Sequence, residues 1–456
     1  MVGAVKEFAA LIAVAATGLA VGGLSAGAMF ALVALCVGLV HHVVRWLTFT
    51  YELHDDRIEI RRALIGRSVK TIPIERIRGV DITASFTHRL LGVAVVRIDA
   101  AADGDEGVLD AVSRREAERL RRLLMRPSEV ASEPDSVIAR ADPSWYRYAP
   151  LSGAYLLTPF ALLGSALGTL YNLGDEFGLI SEGSLSHLGD NVTGVSPLIG
   201  IVFFILLVLA MPVASVLVFA WFNWDFTLHA RDGSVVAERG LVTRRSVTLE
   251  RRRIRGVELH DNPLERAAGV VRLNALVTGL GDAEHRGRLL PTSPHQVAWR
   301  VAEQLHGSFR ADLSPHPRAA RGRRIVRAVG PPLAVAVLAR FTGPSWLVTA
   351  ALLAALLGLP LGLDRYRQLG HASDGEKLSV RSGSLRRHQQ IIEHRAVVGW
   401  RLKQTLFQRR VGLATLMIAV GAGHGGYPAT DVDPGAAVAF AASITPAWVK
   451  PFLDER

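Results

Sequence analysis

The stretch Ile254-Arg255-Gly256-Val257 decides the fold, because Ile77-Arg78-Gly79-Val80 precedes it by 177 residues in a chain of 456 residues. The same offset aligns Gly92 with Gly269, and an offset of 143 from the second copy reaches a more diverged third copy at Gly399. Self-similarity at a fixed offset is typical of a duplicated structural unit. We therefore predict three copies of one soluble unit.

Each copy is predicted to be mostly strand and to end in one helix. Polar and apolar residues alternate in Arg57-Ile58-Glu59-Ile60-Arg61, a period of two that is typical of a half-buried strand. Ser113 stands three residues before Glu116 as a capping box, and Ser293-Pro294 and Asp433-Pro434 place proline at a first helical position. The pattern predicts a small antiparallel sheet or barrel closed by one C-terminal helix.

Apolar runs precede each copy. The run 8–47 is long enough for two spans of about 20 residues, and 151–171 and 197–222 form a second pair. The third pair is 328–339, which is short and contains Pro331-Pro332, followed by 345–363. We predict an α+β membrane protein with six transmembrane helices in three hairpins. A cleaved signal peptide is the alternative for the first run, and a re-entrant segment is the alternative for 328–339.

Arginine and lysine counts predict the orientation. Segments 45–147, 223–327 and 364–456 carry 18, 19 and 13 basic residues, whereas the loop 172–196 carries none. Because basic segments stay on the cytoplasmic side, we predict a multi-pass protein of the bacterial plasma membrane with its soluble copies in the cytoplasm and loop 172–196 outside. The last segment would lie outside if 328–339 failed to cross.

These patterns give predicted boundaries for eight segments. They are hairpin 1 (1–47), soluble domain 1 (48–127), a linker (128–150), hairpin 2 (151–222), soluble domain 2 (223–310), a basic linker (311–327), hairpin 3 (328–363) and soluble domain 3 (364–456).

The second copy resembles the bacterial pleckstrin-homology-like (PH-like) domain family, in its membrane-anchored second class, bPH2. The likeness is carried by Ile254-Arg255-Gly256-Val257, then Asn262-Pro263-Leu264, then Gly269. The other copies have Ser85-Phe86-Thr87 and Thr405-Leu406-Phe407 in place of Asn-Pro-Leu. The resemblance covers nearly the whole chain as three tandem copies. It implies a partly open barrel of about seven strands capped by a helix, and it implies no activity.

The sequence shows no phosphate loop, dinucleotide fingerprint, paired metal ligands or nucleophile elbow. We therefore predict no catalytic residue, no metal and no cofactor, and we expect the protein not to be an enzyme. The formal net charge of +11 favours acidic partners, and the membrane-length runs favour anionic lipid over nucleic acid. A protein partner or self-association is the second predicted kind of contact.

Two groups of residues are candidates for these contacts. The arginines, predicted to meet anionic lipid or a partner, are Arg244, Arg245, Arg251, Arg252, Arg253, Arg255, Arg321, Arg323, Arg324, Arg386 and Arg387. Ion pairing on a solvated sheet face is the alternative for the strand arginines, and topology determination is the alternative for the run before hairpin 3. The glycine pairs, spaced four apart as at close helix contacts, are Gly18 with Gly22, Gly164 with Gly168, and Gly358 with Gly362.

Two functions fit these patterns. The first is a membrane-anchored, non-enzymatic interaction or scaffold protein, because tethering raises the effective concentration of three copies for one partner. The second is a transport or lipid-handling protein that uses the helical bundle as a conduit, which requires a polar cavity among the helices.

Overall fold

The computed structural model describes residues 49–63, 67–100, 106–125, 136–176, 197–231, 233–278 and 287–452, together with Val33. Within them the protein is α+β, with strands in four antiparallel sheets. Apart from Val33, the predicted first hairpin, including Gly18 and Gly22, lies outside the described residues.

Repeat 1 contains six strands and two helices. They are β1 (Phe49–Leu53), β2 (Arg57–Ala63), β3 (Arg67–Pro73), β4 (Ile77–Ala84), α1 (Phe86–Leu90), β5 (Val93–Ala100), β6 (Glu106–Ser113) and α2 (Arg114–Leu124).

Repeat 2 follows the same order, with a strand and two long helices before it. The elements are β7 (Ser136–Arg140), α3 (Gly153–Glu176), α4 (Pro197–Asn223), β8 (Thr227–Arg231), β9 (Ser234–Arg239), β10 (Arg244–Glu250), β11 (Ile254–Asp261), α5 (Pro263–Ala267), β12 (Val270–Val277), β13 (Arg288–Pro294) and α6 (His295–His306).

Repeat 3 is preceded by a helical hairpin. The elements are α7 (Arg318–Thr342), α8 (Ser345–Arg367), β14 (Gly370–Ser373), β15 (Lys377–Ser382), β16 (Arg387–Glu393), β17 (Val397–Lys403), α9 (Leu406–Arg410), β18 (Ala414–Val420), β19 (Gly426–Val432), α10 (Pro434–Ile444) and α11 (Pro446–Val449).

The C-terminal helix of each repeat closes a separate hydrophobic core. In repeat 1, Leu120 and Leu124 of α2 pack against the strands, and α6 and α10 do the same in repeats 2 and 3. Ser113 and Asp433 accept hydrogen bonds from the first turn of their helices, as predicted. The second half of the predicted capping box at Ser113 is absent, because the Glu116 carboxylate accepts from Tyr51 and Arg119 instead. The prediction for Ser293 is wrong: this residue lies within β13, which ends at Pro294, and its hydroxyl donates to the carbonyl of Val271. Pro294 is the N-cap of α6, without a side-chain hydrogen bond.

The six strands of each repeat are divided between two sheets, and the sheets run on from one repeat to the next. Strand β4 of repeat 1 pairs with β10 of repeat 2, and β11 of repeat 2 pairs with β16 of repeat 3. We name these contacts junction 1 and junction 2. Six strands per repeat are described, where the family resemblance implies about seven.

The two junctions use the same register. Gly79 lies opposite Leu249 in junction 1, and the equivalent Gly256 lies opposite Ile392 in junction 2. The Ile-Arg-Gly-Val motif is a β-bulge, because the pairing to the next strand shifts between Ile77 and Gly79 and again at the matching place in repeat 2. A Cβ on Gly256 would come within 2.5 Å of the carbonyl oxygen of Ile391, so glycine is needed for this close approach.

Three of the described helices are long and apolar enough to cross a membrane, over Gly153–Leu170, Ile205–Asn223 and Ser345–Arg367. Most of their surface is not covered by protein, which suits a lipid environment. Helix α7 lies along α8 and continues through Pro331-Pro332 without interruption, so these prolines do not break the helix. Six transmembrane helices stay a prediction, and so does the crossing of 328–339.

Both predicted linkers contribute regular structure. Strand β7, from the 128–150 segment, pairs with β8 and lengthens the sheet of junction 1 to seven strands. The basic segment 311–327 is helical from Arg318 onward, because these residues form the first turns of α7. The basic residues from Arg318 onward therefore belong to the same helix as the first half of hairpin 3, and no loop separates the two.

Candidate functional site

A basic cavity of about 500 Å³ lies where α7 and α8 meet the sheets. Four arginines line it: Arg324 and Arg327 on α7, Arg365 on α8, and Arg386 in the turn between β15 and β16. Residues 383–385 of that turn complete the wall. The cavity lies at the C-terminal end of the candidate membrane span Ser345–Arg367, which contributes Arg365 to its wall.

A buried carboxylate fixes the α7 side of the cavity. Asp431 is fully buried in β19 and pairs with Arg323 and with Arg324, the latter at 2.7 Å. The amide of Gln408 donates to the same carboxylate at 2.8 Å. Because breaking a buried pair leaves an uncompensated charge, this network holds the first turns of α7 firmly on repeat 3.

A second network fixes the α8 side. Asp364 near the end of α8 accepts hydrogen bonds from Ser384 in the cavity turn and from Arg266 of α5, the latter at 2.8 Å. Gly383 opens this turn with a φ of 96°, and a Cβ there would overlap the carbonyl oxygen of Arg386 at 1.9 Å. The glycine is therefore required for the turn that presents Arg386.

The charges in the cavity are not all neutralised within the protein. Among the described residues, Arg327, Arg365 and Arg386 have no carboxylate partner. Burial lowers the pKa of Arg324 from its ordinary value, while Asp431 opposes that shift and Arg327 adds to it. Guanidinium groups gathered without counter-charges form a site for a phosphate or carboxylate, whose oxygens match their planar donor geometry.

Comparison with known proteins identifies the repeats. The family described as Bacterial PH domain matches the chain three times, over residues 8–128, 178–306 and 331–444. The chain belongs to the bacterial PH domain family. It is also similar to the UPF0699 transmembrane protein YdbT of Bacillus subtilis (strain 168), with 22% identity over 409 residues that cover 83% of this chain and 80% of that protein. No solved structure matches it.

The protein is thus a transmembrane protein with three bacterial PH domains, and the family resemblance read from its sequence is confirmed. The cavity lies at the root of the hairpin that precedes the third PH domain. In the second PH domain the equivalent turn, Gly240 to Thr243, packs on the end of α4 and carries no arginine. The second domain therefore does not repeat the basic cavity of the third.

Most predicted arginines of the second PH domain are engaged by carboxylates. Glu238 holds Arg244 at 3.1 Å, Glu250 holds both Arg252 and Arg253, and Glu393 holds Arg255 at 3.5 Å. Arg251 bonds the carbonyl of Gln304. Of the other predicted arginines, Arg387 pairs with Asp261 across junction 2 and Arg323 pairs with Asp431, whereas Arg245 and Arg321 are exposed and have no such partner among the described residues.

The cavity collects two predicted residues, Arg324 and Arg386, with Arg327 of the same basic run before hairpin 3, and it adds Arg365, which sequence reasoning missed. Arg327 stands three residues after Arg324, on the same face of a helix, and this spacing is visible in the sequence. The sequence does not indicate that Arg365 joins these residues, because its position depends on the antiparallel packing of α8 on α7.

The predicted glycine pairs occupy different surroundings. Gly358 and Gly362 of α8 lie against the backbone of α7, where an added Cβ would come within 2.8 Å of Ala328 and 2.7 Å of Ile325. Gly164 and Gly168 of α3 have no neighbouring atom within 4 Å of such a Cβ in the described structure.

Proposed function

We propose that this protein is a non-enzymatic membrane scaffold, which uses six transmembrane helices to hold three cytoplasmic PH domains against the anionic inner leaflet of the bacterial plasma membrane. The basic cavity is the observation that carries the proposal. A lipid phosphate that enters it would meet Arg327, Arg365 and Arg386, while the acyl chains would lie along the apolar surface of α7 and α8. Each such arginine contributes about 1 kcal/mol of attraction near an anionic surface.

The rigidity of the three domains supports the scaffold. The junctions continue the sheets from one PH domain to the next. At junction 2 the neighbouring cores also exchange side chains, since Ile391 of the third domain packs in the second core and Leu276 of the second domain packs in the third. Domains joined in this way have fixed spacing, so a partner that contacts two of them meets a preset surface.

Strands β3 and β17 are the natural place for a protein partner. They occupy the positions that β10 and β4 fill at junction 1, yet in the described structure neither has a neighbour on its outer side. An extended segment of a second protein can add to such an edge through backbone hydrogen bonds.

The lipid part of the proposal is tested with the full chain in nanodiscs. The variant Arg327→Gln/Arg386→Gln removes two cavity charges, and Arg115→Gln/Arg122→Gln removes two exposed charges from α2 as a matched control. The readout is retention of phosphatidylglycerol against phosphatidylcholine after detergent exchange. We expect a loss of about 30-fold in preference for the anionic lipid in the cavity variant and little change in the control.

Two further arms identify what the cavity binds. Competition by inorganic phosphate at equal potency would show that the cavity takes a free anion rather than a lipid headgroup. Equal lipid preference in both variants would contradict the proposal, as would retention that does not weaken with salt.

A further inference from the structure

Three potential metal ligands meet at junction 2. His260 of β11 lies directly opposite His388 of β16, and Glu258 stands two residues before His260 on the same strand. Alternate residues of a strand share a face, so all three side chains project from one side of the joined sheet. That side faces the third PH domain, because Ile392 and Leu276 of the same sheet belong to its core.

The spacing of the ligand atoms suits one metal ion. A nitrogen of each histidine and a carboxylate oxygen of Glu258 lie within 4.8 Å of one another. Glu258 Oε1 is 3.2 Å from His388 Nδ1, close to the distance of about 3.3 Å between two ligands of a tetrahedral zinc ion. The rings of His260 and His388 have centroids 5.4 Å apart at an angle of 68°, so both can turn a nitrogen toward one point.

A cavity of about 210 Å³ opens beside these side chains. Its wall includes Asn274, which is 4% exposed and lies opposite Glu258 on β12. The Oδ1 atom of Asn274 has no hydrogen-bond partner in the described structure, although a buried acceptor normally has one. A metal-bound water in the cavity would supply the missing donor, and the exposed His424 stands at the same wall.

The first junction lacks this chemistry at the same positions. There the equivalents of Glu258, His260 and His388 are Asp81, Thr83 and Arg245, and an arginine cannot ligate a metal. The cation Arg272, which lies opposite His260 on β12, is engaged by Glu265 at 3.1 Å.

We propose that Glu258, His260 and His388 bind one divalent transition-metal ion of the zinc class, and that this ion clips the second PH domain to the third. Two imidazoles and one carboxylate favour zinc over magnesium or calcium, which prefer oxygen ligands alone. Asn274 positions a water in the remaining coordination place. The site is independent of the basic cavity and of any lipid bound there.

The test uses the full chain in detergent, stripped with chelator and dialysed. Zinc stoichiometry is measured by mass spectrometry of the metal, and cobalt is used as a probe with visible absorption. We expect one zinc per chain and a cobalt spectrum of tetrahedral intensity for the native protein. His260→Gln and His388→Gln should lose both, and Asn274→Ala should bind about 10–100-fold more weakly.

A second cluster in the chain provides the control. Glu52, His54 and Glu59 also group ligand atoms, but on the surface of the first PH domain. His54→Gln should leave the single zinc in place and leave unchanged the rise in unfolding temperature that zinc causes. Loss of the zinc in His54→Gln, its retention in a folded His388→Gln chain, or no specific binding by the native protein would each overturn the proposal. His388 has a 38% exposed side chain, so its substitution is the one that preserves folding best.

Discussion

The strands paired at the two junctions differ in charge from the two open edge strands, β3 and β17, at equivalent positions. At the junctions, position 81 or 258 is acidic and faces an uncharged residue, Val247 or Gln390. If β17 of one chain paired with β3 of another copy in the same register, Arg401 would lie opposite Lys70. Like charges directly opposite one another destabilise strand pairing, and basic residues on an edge discourage association. We therefore expect β3 and β17 to resist pairing with further copies of the chain.

Junction 2 is also held by a buried ion pair that junction 1 lacks. Asp261 is 3% exposed and pairs with Arg387 and Arg266, whereas its equivalent in junction 1 is Ala84. Two contacts with the same backbone register are therefore stabilised by different side-chain interactions, and substitutions should affect them unequally.

The largest expected effect is that of Asp261→Ala. It leaves Arg387 and Arg266 without their carboxylate, at a cost of about 3–5 kcal/mol in the local free energy of opening of junction 2. Hydrogen exchange of the β16 amides in the full chain measures this cost. Asp56→Ala, which breaks an exposed pair with Arg57, should cost about 0–1 kcal/mol, and equal costs would contradict the account.

Acid should next lower the stability of the second and third PH domains. Burial lowers the pKa of His306 and of His316 to about 4, despite Glu393 beside His306. The unfolded chain therefore binds more protons between pH 6.5 and 4, and each histidine removes up to about 1.4 kcal/mol of stability per pH unit as the pH falls through that range. Urea unfolding at three pH values measures how steeply the free energy of unfolding changes with pH. His306→Leu should reduce this slope by the contribution of one histidine. A slope unchanged by this substitution would refute the assignment.

Replacing the bulge glycine by alanine should destabilise the three repeats to different extents. Gly256→Ala should cost about 1–3 kcal/mol, because its Cβ would meet a backbone oxygen at 2.5 Å. Gly79→Ala should cost less, since the nearest atom is the Thr248 oxygen at 3.3 Å. Gly399→Ala on the open strand should be nearly neutral, with its nearest neighbour 4.0 Å away. Urea unfolding of the three variants gives the order, and an equal loss in all three would break the comparison.

The smallest effect concerns the open edges. Arg401→Glu restores the acidic residue of the interior strands, and a favourable cross-strand pair contributes about 0.2–1 kcal/mol. We expect up to about fivefold stronger head-to-tail association of the full chain in detergent, measured by light scattering. Arg410→Glu, an exposed change outside the strand, is the matched control. Association that rises equally in both variants would indicate net charge rather than register.

The sequence predicts the duplication well, because the glycine of the bulge recurs in the fourth strand of every repeat. The sequence aligns Gly79, Gly256 and Gly399, and it indicates the helix starts at Ser113 and Asp433. The strand pairing between repeats could not be predicted, because β4 and β10 are separated by a membrane hairpin. The alternation of polar and apolar residues predicts a strand but does not indicate which strand pairs with it.

The candidate sites could likewise be predicted only in part from the sequence. The pair Glu258 and His260 has the spacing of residues on one strand face, but His388 reaches them only through junction 2. Arg324 and Arg386 were candidates from composition, whereas the ion pairs that occupy Arg252, Arg253 and Arg387 depend on tertiary neighbours that no local pattern reveals.

Cross-linking of register partners tests the central claim, that the PH domains are joined within one chain by paired strands. With Cys36 changed to serine, Thr83→Cys and Arg245→Cys would stand opposite each other in junction 1, within disulfide reach. Mild oxidation in membranes should link them within a single chain, while Ser68→Cys with Lys403→Cys, the matching positions on the open strands, should stay unlinked. Failure of the first pair to link, or links formed only between chains, would contradict the account.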